Sequence, residues 1–241
     1  SGVLDQAALA ASLHEIVRRH EILRTTFRAV RGMPVQESTT EFEIPLPVTD
    51  LTGLPRPERE TEARRLVQEQ ASMSFDLARG PLLRAQLLKL GKEEHVVLLV
   101  FHHIVFDGWS ADVFLGELAT LYAAYVDHPV KEEGAPGAER QRAERSPLAD
   151  LDIQYADFAQ WQRSWLQGEV LEKQLSYWRG VLSPLPPTLD LPTDHPRPAV
   201  QSWRGGAEDF EFSPDLLKRL QDVGRAEGAT LFMTLLATFQ V

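Results

Sequence analysis

The stretch that decides the fold runs from residue 95 to residue 110 and reads HVVLLVFHHIVFDGWS. After His95 its first residues are all apolar, so both faces of a strand would carry apolar side chains, and we expect a strand that is covered on both sides. Asp107-Gly108 is typical of a turn. Ser110 is expected to cap a helix that runs to about Val126, with Asp112 in its first turn. The segment therefore predicts a strand, a short loop and a helix in direct succession.

Two adjacent histidines end the predicted strand. Successive strand residues point to opposite faces, so His102 and His103 are not expected to share one role. One imidazole can face a cleft while the other is packed and hydrogen-bonded, which is the ordinary state of a lone histidine in a fold. A metal site would need three or four ligands, and no second cluster of histidine or acidic residues stands at ligand spacing. We therefore predict no metal at this loop.

Composition excludes several classes of protein. The chain has 241 residues, 35 acidic against 25 basic side chains, a net charge of −10 and no cysteine. Disulfides, thiol nucleophiles and cysteine-ligated zinc are excluded, and the negative charge argues against a nucleic-acid partner. No apolar run approaches the roughly 18 residues of a membrane span, and no signal peptide is recognisable. We expect a cytoplasmic protein without a membrane or nucleic-acid partner, and Ser1 indicates a piece of a longer chain.

Periodicity predicts further elements in the first three quarters of the chain. A helix capped by Asp5 is expected to reach His20, with Glu15, Arg18 and Arg19 off its apolar stripe of Leu9, Leu13, Ile16 and Val17. Two strands are expected around Gly32, a surface helix over 55–73, and a strand over 82–90 that a polar turn joins to the next. The inner stripe of the helix after the histidines is expected to comprise Phe114, Leu118, Leu121 and Tyr125.

Breaks in the pattern divide the rest. Residues 131–146 are charged and aperiodic and are expected to form a mobile loop. Residues 150–182 are predicted to be helical, with their tryptophans in the core. Six prolines in 184–198 forbid a continuous helix and mark the best domain boundary. Beyond it we expect a strand over 207–213 and a helix over 214–226. The apolar composition of 230–241 implies burial, although little else in this sequence could cover that segment.

Four segments resemble one known family in the same order. Residues 101–110 resemble the HHxxxDG motif of the condensation domains of nonribosomal peptide synthetases. Residues 19–27 (RHEILRTTF) resemble the family's RHExLRTxF motif, 155–161 (YADFAQW) its YxDFAxW motif, and 189–204 the passage into its second lobe. The resemblance covers essentially the whole chain. It implies an α/β, chloramphenicol acetyltransferase-like sandwich of two lobes.

The resemblance also implies a division of the chain. Residues 1–183 would form the N-terminal lobe, with a mixed sheet flanked by helices, 184–204 an inter-lobe linker, and 205–241 the start of an incomplete C-terminal lobe. The family's first motif is expected upstream of Ser1 and its last motifs downstream of Val241. Because the family's active site is a tunnel between the two lobes, we expect the isolated piece to be inactive.

The family forms an amide between two carrier-bound acyl groups. The resemblance implies donor and acceptor peptidyl carrier proteins and neighbouring synthetase domains as partners. Substrates would arrive on 4'-phosphopantetheine, with no cofactor bound directly. His103 would face the tunnel and orient the attacking amine, with proton acceptance secondary. His102 would be structural.

The remaining motif residues are expected to support that histidine. Asp107 would pair with an arginine, for which Arg24 is one candidate and a residue beyond Val241 the alternative, and Gly108 would keep the pantetheine path open. Trp109 and Ser110 are possible walls of the tunnel. Early-motif residues Glu21 and 23–25 favour an L-configured donor. The alternatives are an epimerization domain, a coenzyme A-dependent acyltransferase and a non-catalytic docking platform for carrier proteins or tailoring enzymes.

Overall fold

The computed structural model describes residues 2–130, 135, 137–186, 192–200 and 205–240. The chain divides into two compact units, Ser1–Ser183 and Pro184–Val241, so the second unit begins at the first proline of the proline-rich run. Parts of the predicted loop, of the predicted linker and of the 189–204 motif lie outside the described residues.

The first helix, α1, spans Gln6–Arg19 as predicted. The Asp5 carboxylate caps it by accepting a hydrogen bond from the Ala8 amide at 2.9 Å. The predicted apolar stripe is buried, and Glu15 and Arg19, which were expected beside that stripe, are buried as well. Glu15 is fully buried because both of its oxygens accept hydrogen bonds from Arg18, and Arg19 is buried with partners of its own.

A hairpin follows α1 through a short 3₁₀ helix, Glu21–Arg24. Strands β1, Thr25–Val30, and β2, Met33–Ser38, pair antiparallel. The turn places Arg31 (φ 52°) and Gly32 (φ 79°) in the left-handed region, which a two-residue hairpin turn requires and glycine tolerates without strain. The predicted pair of strands around Gly32 is confirmed.

A mixed three-stranded sheet forms the centre of the first unit. Its order is β3-β4-β5, with β3 at Val48–Asp50, β4 at Leu83–Lys89 and β5 at His95–Phe101. β3 runs parallel to β4, and β4 runs antiparallel to β5. The expectation that β5 is covered on both sides holds only in part: Leu99 and Phe101 pack on one core cluster and Val96 on the other, but all its residues are at best half-buried. Among the described residues β5 has a strand neighbour on one side only, and the central strand β4 carries the burial instead.

Two helices flank this sheet. Helix α2 spans Arg56–Ser72 and lies on the surface as predicted, with Ala63 as its buried contact. Helix α3 spans Gly108–Asp127 and packs on α1. The Asp5 amide donates to the Tyr122 hydroxyl at 2.9 Å, which fixes the start of α1 on α3. The inner stripe predicted for α3 is confirmed.

The segment 131–146 is not a loop throughout. Residues Ala138–Arg145 form helix α4. The Tyr125 hydroxyl donates to the Arg142 carbonyl at 3.0 Å, and the buried Arg142 guanidinium contacts His14 Nδ1 at 3.2 Å. These contacts hold α4 against α3 and α1. They explain why the segment forms a helix although its composition predicts a loop.

The tryptophans of residues 150–182 do not lie in a core. Helices α5, Tyr155–Trp165, and α6, Gly168–Leu182, are present as predicted, yet neither has a fully buried residue. Trp161 is 55% exposed and stacks on Trp165 at 5.5 Å between ring centroids. The core assignment of these side chains was wrong because apolar periodicity shows which face is apolar without showing what covers it.

The second unit holds helices α7, Pro214–Ala226, and α8, Leu231–Phe239. The Ser213 side chain caps α7, and Thr230 caps α8. The strand predicted over 207–213 is absent, since the segment has no assigned secondary structure and forms no ladder with another described residue. The burial expected for 230–241 is not found among the described residues, and Phe232 is 71% exposed.

Acid should destabilise the first unit through His14. Burial, followed by the charges of Arg142 and Arg18, lowers the pKa of His14 to about 4. In the unfolded chain His14 takes up a proton below about pH 6.5. In the folded chain it takes up that proton only near pH 4. We predict that the free energy of unfolding in urea falls by at most about 3 kcal/mol from this residue between pH 7 and pH 4. His14→Gln should flatten that part of the profile, and an unchanged slope would contradict this assignment.

Candidate active site

Three phenylalanines fix the loop that carries the two histidines. Phe106 stacks on Phe101 with ring centroids 3.8 Å apart, and Phe114 meets both rings edge-on at 5.2 and 5.9 Å. The end of β5, the loop and the second turn of α3 thus share one aromatic cluster. Such a cluster helps to fix the path of the intervening residues 102–105, of which His103 and Ile104 remain exposed.

His102 is engaged within the protein. Its Nδ1 accepts a hydrogen bond from the Ile104 amide at 3.0 Å, and its carbonyl accepts from the Val105 amide at 3.0 Å. Its backbone amide continues the sheet ladder to the Leu82 carbonyl at 2.9 Å. The ring meets Phe75 edge-on at 5.8 Å. These contacts give His102 the geometry of a residue that closes the turn.

His103 is exposed at the following position. It lies in the turn between β5 and α3, on backbone that His102 and the aromatic cluster hold in place. An imidazole in this position can reach an outside group, and its ordinary chemistry near neutral pH is to accept or share a proton. The structure places the two histidines in different surroundings, as expected, but β5 ends at Phe101, so the turn that His102 closes separates them rather than strand alternation.

Asp107 caps α3 in place of the predicted Ser110. Its carboxylate accepts hydrogen bonds from the Ser110 amide at 2.8 Å and the Ser110 hydroxyl at 2.6 Å, and the Asp107 amide donates to Ser110 Oγ at 3.3 Å. These bonds form a capping box. The hydrogen bonds from Ser110, with a smaller effect of the His103 charge, lower the pKa of Asp107. Because the helix starts at Gly108, Asp112 lies beyond its first turn.

Arg24 does not pair with Asp107. Its guanidinium donates to the Ser38 hydroxyl at 3.2 Å and to the Thr39 carbonyl, and it forms an ion pair with Glu21 at 3.4 Å. No ion pair to Asp107 occurs in the part of the chain that the structure describes. The expected partner was wrong because a short acidic side chain that faces free helix amides is satisfied by them.

The three residues after Asp107 leave the loop open. A Cβ added at Gly108 would contact nothing within 4 Å among the described atoms. Trp109 is 84% exposed, and Ser110 is half-buried through its contact with Asp107. Trp109 and Ser110 both line a pocket between α1, the 3₁₀ helix and the start of α3.

A polar network behind that pocket was missed at the sequence level. Glu117 Oε2 lies 2.8 Å from His20 Nε2, and its two oxygens lie 3.4 Å from the Arg19 guanidinium. Burial opposes ionisation of Glu117, but the hydrogen bonds from His20 and Arg19 outweigh it and lower its pKa. The Gln154 side chain also donates to the Arg19 carbonyl at 2.8 Å and accepts from the Glu21 amide at 3.1 Å.

This network joins two of the motifs that sequence reasoning had quoted separately. Arg19 and His20 belong to the early motif, and Gln154 directly precedes the YADFAQW helix. The sequence alone did not single out Glu117, because an acidic residue on the polar side of a helix is common and its partners Arg19 and His20 are 98 and 97 residues away. The motif residues Arg19 and His20 were the available clue.

No group of three or more residues able to hold a metal ion occurs within the described ranges. Nor does any described helix have the length and apolarity needed to cross a membrane.

The first unit is a mixed α/β unit with a histidine pair between a strand and a capped helix, and the comparisons with known proteins identify the class of protein to which it belongs. The condensation domain model matches residues 1–136 and 138–241. The chain therefore belongs to the condensation domain family of nonribosomal peptide synthetases.

Relatives of known sequence are much longer than this chain. One component of the linear gramicidin synthase from Brevibacillus parabrevis is 48% identical over 240 residues, which are 100% of this chain and 4% of that protein. Chondramide synthase cmdD from Chondromyces crocatus is 44% identical over 240 residues, again 100% of this chain and 6% of that protein.

Solved structures extend the same likeness. The SgcC5 protein from Streptomyces globisporus matches 100% of this chain and 50% of its own, with a TM-score of 0.69 and 28% identity. The X-domain from teicoplanin biosynthesis matches 95% of this chain and 47% of its own, with a TM-score of 0.72 and 31% identity. An epimerization domain of tyrocidine synthetase matches 81% of this chain and 40% of its own at 22% identity and a TM-score of 0.64, which shows the shared fold.

The capping role of Asp107 can be separated from a pairing role by two substitutions. Asp107→Ala removes the oxygen that accepts from the Ser110 amide, whereas Asp107→Asn keeps one. We predict that Ala lowers the melting temperature by a few degrees and speeds hydrogen exchange of the Ser110 amide, and that Asn does neither strongly at pH 7.

The pH dependence gives an independent check on the cap. Because the pKa of Asp107 is lowered, the stabilisation by its carboxylate is present at neutral pH and is lost as the pH falls through that lowered pKa. The Ala variant should lack this loss. Equal destabilisation by Asn and Ala at pH 7 would instead indicate a cationic partner for the carboxylate.

Proposed function

We propose that this chain is part of a condensation domain that forms an amide between two acyl groups held as thioesters on carrier proteins. The observation that supports this most directly is an exposed His103 on a fixed loop in a chain of the condensation domain family. The amine of the acceptor aminoacyl group attacks the carbonyl carbon of the donor thioester. The carbon–sulfur bond breaks, and the donor's phosphopantetheine leaves as a thiol after taking up a proton.

His103 serves this reaction mainly by orienting the amine. Thioesters already react with amines, so holding the two groups in line has the larger effect, since correct orientation can supply roughly 7–11 kcal/mol of a barrier. Proton acceptance by the neutral imidazole adds about 10²–10⁴-fold. His102 acts as the positioning residue because its Nδ1 and carbonyl close the turn on which His103 sits.

The carrier-bound substrates account for the open surroundings of the loop. Gly108 follows the cap residue with free space where a side chain would lie, which suits the passage of a pantetheine arm. Trp109 is positioned as a wall beside it, with most of its indole exposed. The proposed partners are therefore a donor and an acceptor carrier protein and the neighbouring synthetase domains, and the chain itself needs no bound cofactor.

The early motif supports an L-configured donor. Residues 19–27 carry the RHExLRTxF pattern, in which Glu21 and 23–25 have the form typical of condensation domains that take such donors. Glu21 is held by the Gln154 side chain at its amide and by Arg24 at its carboxylate. We therefore propose more specifically a condensation domain that takes an L-configured donor. The alternative with the same fold is an epimerization domain.

A second candidate function is non-catalytic docking of a tailoring enzyme. It is favoured by the 31% identity and TM-score of 0.73 to an X-domain whose solved structure is a complex with OxyB from teicoplanin biosynthesis. The two functions differ in what they require of His103, because docking needs no exposed imidazole.

The central experiment replaces His103 by Ala in the complete domain. With donor and acceptor carrier proteins loaded with L-amino acids, the wild-type protein should form an amide, and His103→Ala should reduce the rate by about 100-fold or more. His103→Gln, which keeps a hydrogen-bonding group, should retain more activity than Ala if orientation dominates. The products are measured by mass spectrometry after hydrolysis from the carrier.

His128→Ala is the matched control, because His128 is an exposed histidine at the far end of α3. It should leave the rate unchanged. Unchanged turnover in His103→Ala would remove the imidazole from the mechanism. A wild-type protein that inverts the acceptor residue without forming an amide would be an epimerization domain, and one that forms no amide but binds a tailoring enzyme would support docking.

Gly108 offers a separate test of the pantetheine path. We predict that Gly108→Ala leaves the melting temperature unchanged or slightly higher, because alanine favours a helix by about 0.5–1 kcal/mol over glycine. The same change should raise the KM for carrier-bound substrates severalfold by narrowing the path. Gly116→Ala, at a glycine of α3 with equally open surroundings, should affect stability in the same direction without affecting KM. Equal kinetics for both variants would contradict the assigned path.

A further inference from the structure

The pocket beside the start of α3 has the size of one amino-acid side chain. Its volume is about 160 Å³. Complete small-molecule sites are typically about 300–1,000 Å³, so a whole acyl-pantetheine cannot be its occupant. An apolar cavity of about 150 Å³ holds one benzene molecule, so this pocket fits a branched four-carbon chain or a single ring.

The chemistry of the pocket walls selects an apolar occupant. Apolar side chains from α1, the 3₁₀ helix, the loop and α3 supply most of the surface, among them Ile16, Leu23, Val105, Phe106 and Val113. Among the lining residues with polar side-chain atoms, His20 is hydrogen-bonded to Glu117 and Ser110 to Asp107, and the Trp109 indole lies mostly exposed at the rim. A ligand with polar groups would find few unsatisfied hydrogen-bonding partners here. Binding in this pocket would therefore be stabilised mainly by burial of a hydrocarbon group.

The pocket is also accessible and stiff. Trp109 is 84% exposed and Val113 is 45% exposed at its rim, whereas Ile16, Leu23 and Phe114 at its base are buried. Glu117 hydrogen-bonds His20 to α3, Phe106 stacks on Phe101 and meets Phe114 edge-on, and Val105 is buried in the core. Large exposed apolar side chains around a formed cavity are typical of a binding site rather than of a packing defect.

We propose that this pocket receives the apolar side chain of a carrier-bound aminoacyl substrate and so determines which residues are joined efficiently. The inference rests on the proposed condensation function, because the pocket shares Val105, Phe106, Trp109 and Ser110 with the segment that carries His103. Burial of a leucine- or phenylalanine-sized group there holds the aminoacyl unit near that segment, and glycine gains nothing from it. The side chain can belong to the donor or to the acceptor.

The test measures substrate preference in the complete domain. Val113→Trp fills the pocket from its exposed rim, where a larger side chain can be tolerated by the fold. For each variant, kcat/KM is measured with glycyl, alanyl, leucyl and phenylalanyl carriers, once as the donor series and once as the acceptor series. We expect kcat/KM for leucyl and phenylalanyl substrates to fall at least about 10-fold relative to glycyl in one series, since one methylene in an apolar pocket already changes selectivity by about 10–200-fold.

Leu115→Trp is the matched control, because Leu115 is 58% exposed on the same helix and does not line the pocket. It should leave the leucyl-to-glycyl ratio unchanged. Val113→Ala enlarges the pocket and should raise the phenylalanyl-to-leucyl ratio, which provides a second readout if the tryptophan variant folds poorly. The series in which the ratio changes identifies the donor or the acceptor as the source.

The outcomes separate the two proposals. Amide formation by Val113→Trp and Val113→Ala with wild-type ratios in both series would overturn the pocket assignment and leave the condensation function standing. Failure of the wild-type domain to form an amide from any pair would overturn the proposed function and, with it, this inference.

Discussion

The contact on which the site depends is the stacking of Phe106 on Phe101, closed at right angles by Phe114. Within residues 102–105, His102 and Val105 contact the core while His103 and Ile104 are exposed, so the aromatic cluster and these two contacts together fix the loop between β5 and α3. Through the cluster, the last strand residue and the second turn of the helix form one apolar unit. The loop then presents His103 to the outside while its neighbour faces the protein.

The capping box completes this arrangement from the other end. Asp107 must lie where its carboxylate meets the Ser110 amide, and that fixes where α3 begins. Behind the helix, Glu117 holds His20 and Arg19 and so joins α3 to the end of α1. Both contacts fix α3, one at its start and one at its middle, and this is how residues far from His103 in the sequence can influence its position. The early motif and the histidine motif, which are far apart in the sequence, therefore belong to one set of contacts that positions α3 and the loop before it.

Much of this fold could be predicted because it follows from local pattern. The stripes of α1 and α3 obey helical periodicity, and the hairpin around Gly32 follows from turn chemistry. What could not be predicted depends on distant partners. The burial of Glu15, Arg19 and Glu117 requires hydrogen bonds that no spacing reveals, and α4 requires its contacts with Tyr125 and His14.

The same limit explains the remaining errors. Both Asp107 and Ser110 are good helix caps, and only the geometry of the turn decides between them. The apolar faces of α5 and of β5 were visible in the sequence, but exposure depends on what packs against them. At the site, the motif resemblance located His103 and Asp107, whereas the arginine expected beside Asp107 is occupied by Ser38, Thr39 and Glu21.

The most direct measurement is a nitrogen NMR titration of the His103 imidazole in the complete domain. The domain is labelled at histidine and titrated with an acceptor carrier that bears an aminoacyl group with a free amine, and separately with the same group N-acetylated. The account predicts a change in the His103 ring nitrogen signals with the free amine and a much smaller change with the acetylated form, with the His128 signals unaffected. Identical spectra with both carriers would contradict the claim that this imidazole contacts the attacking amine.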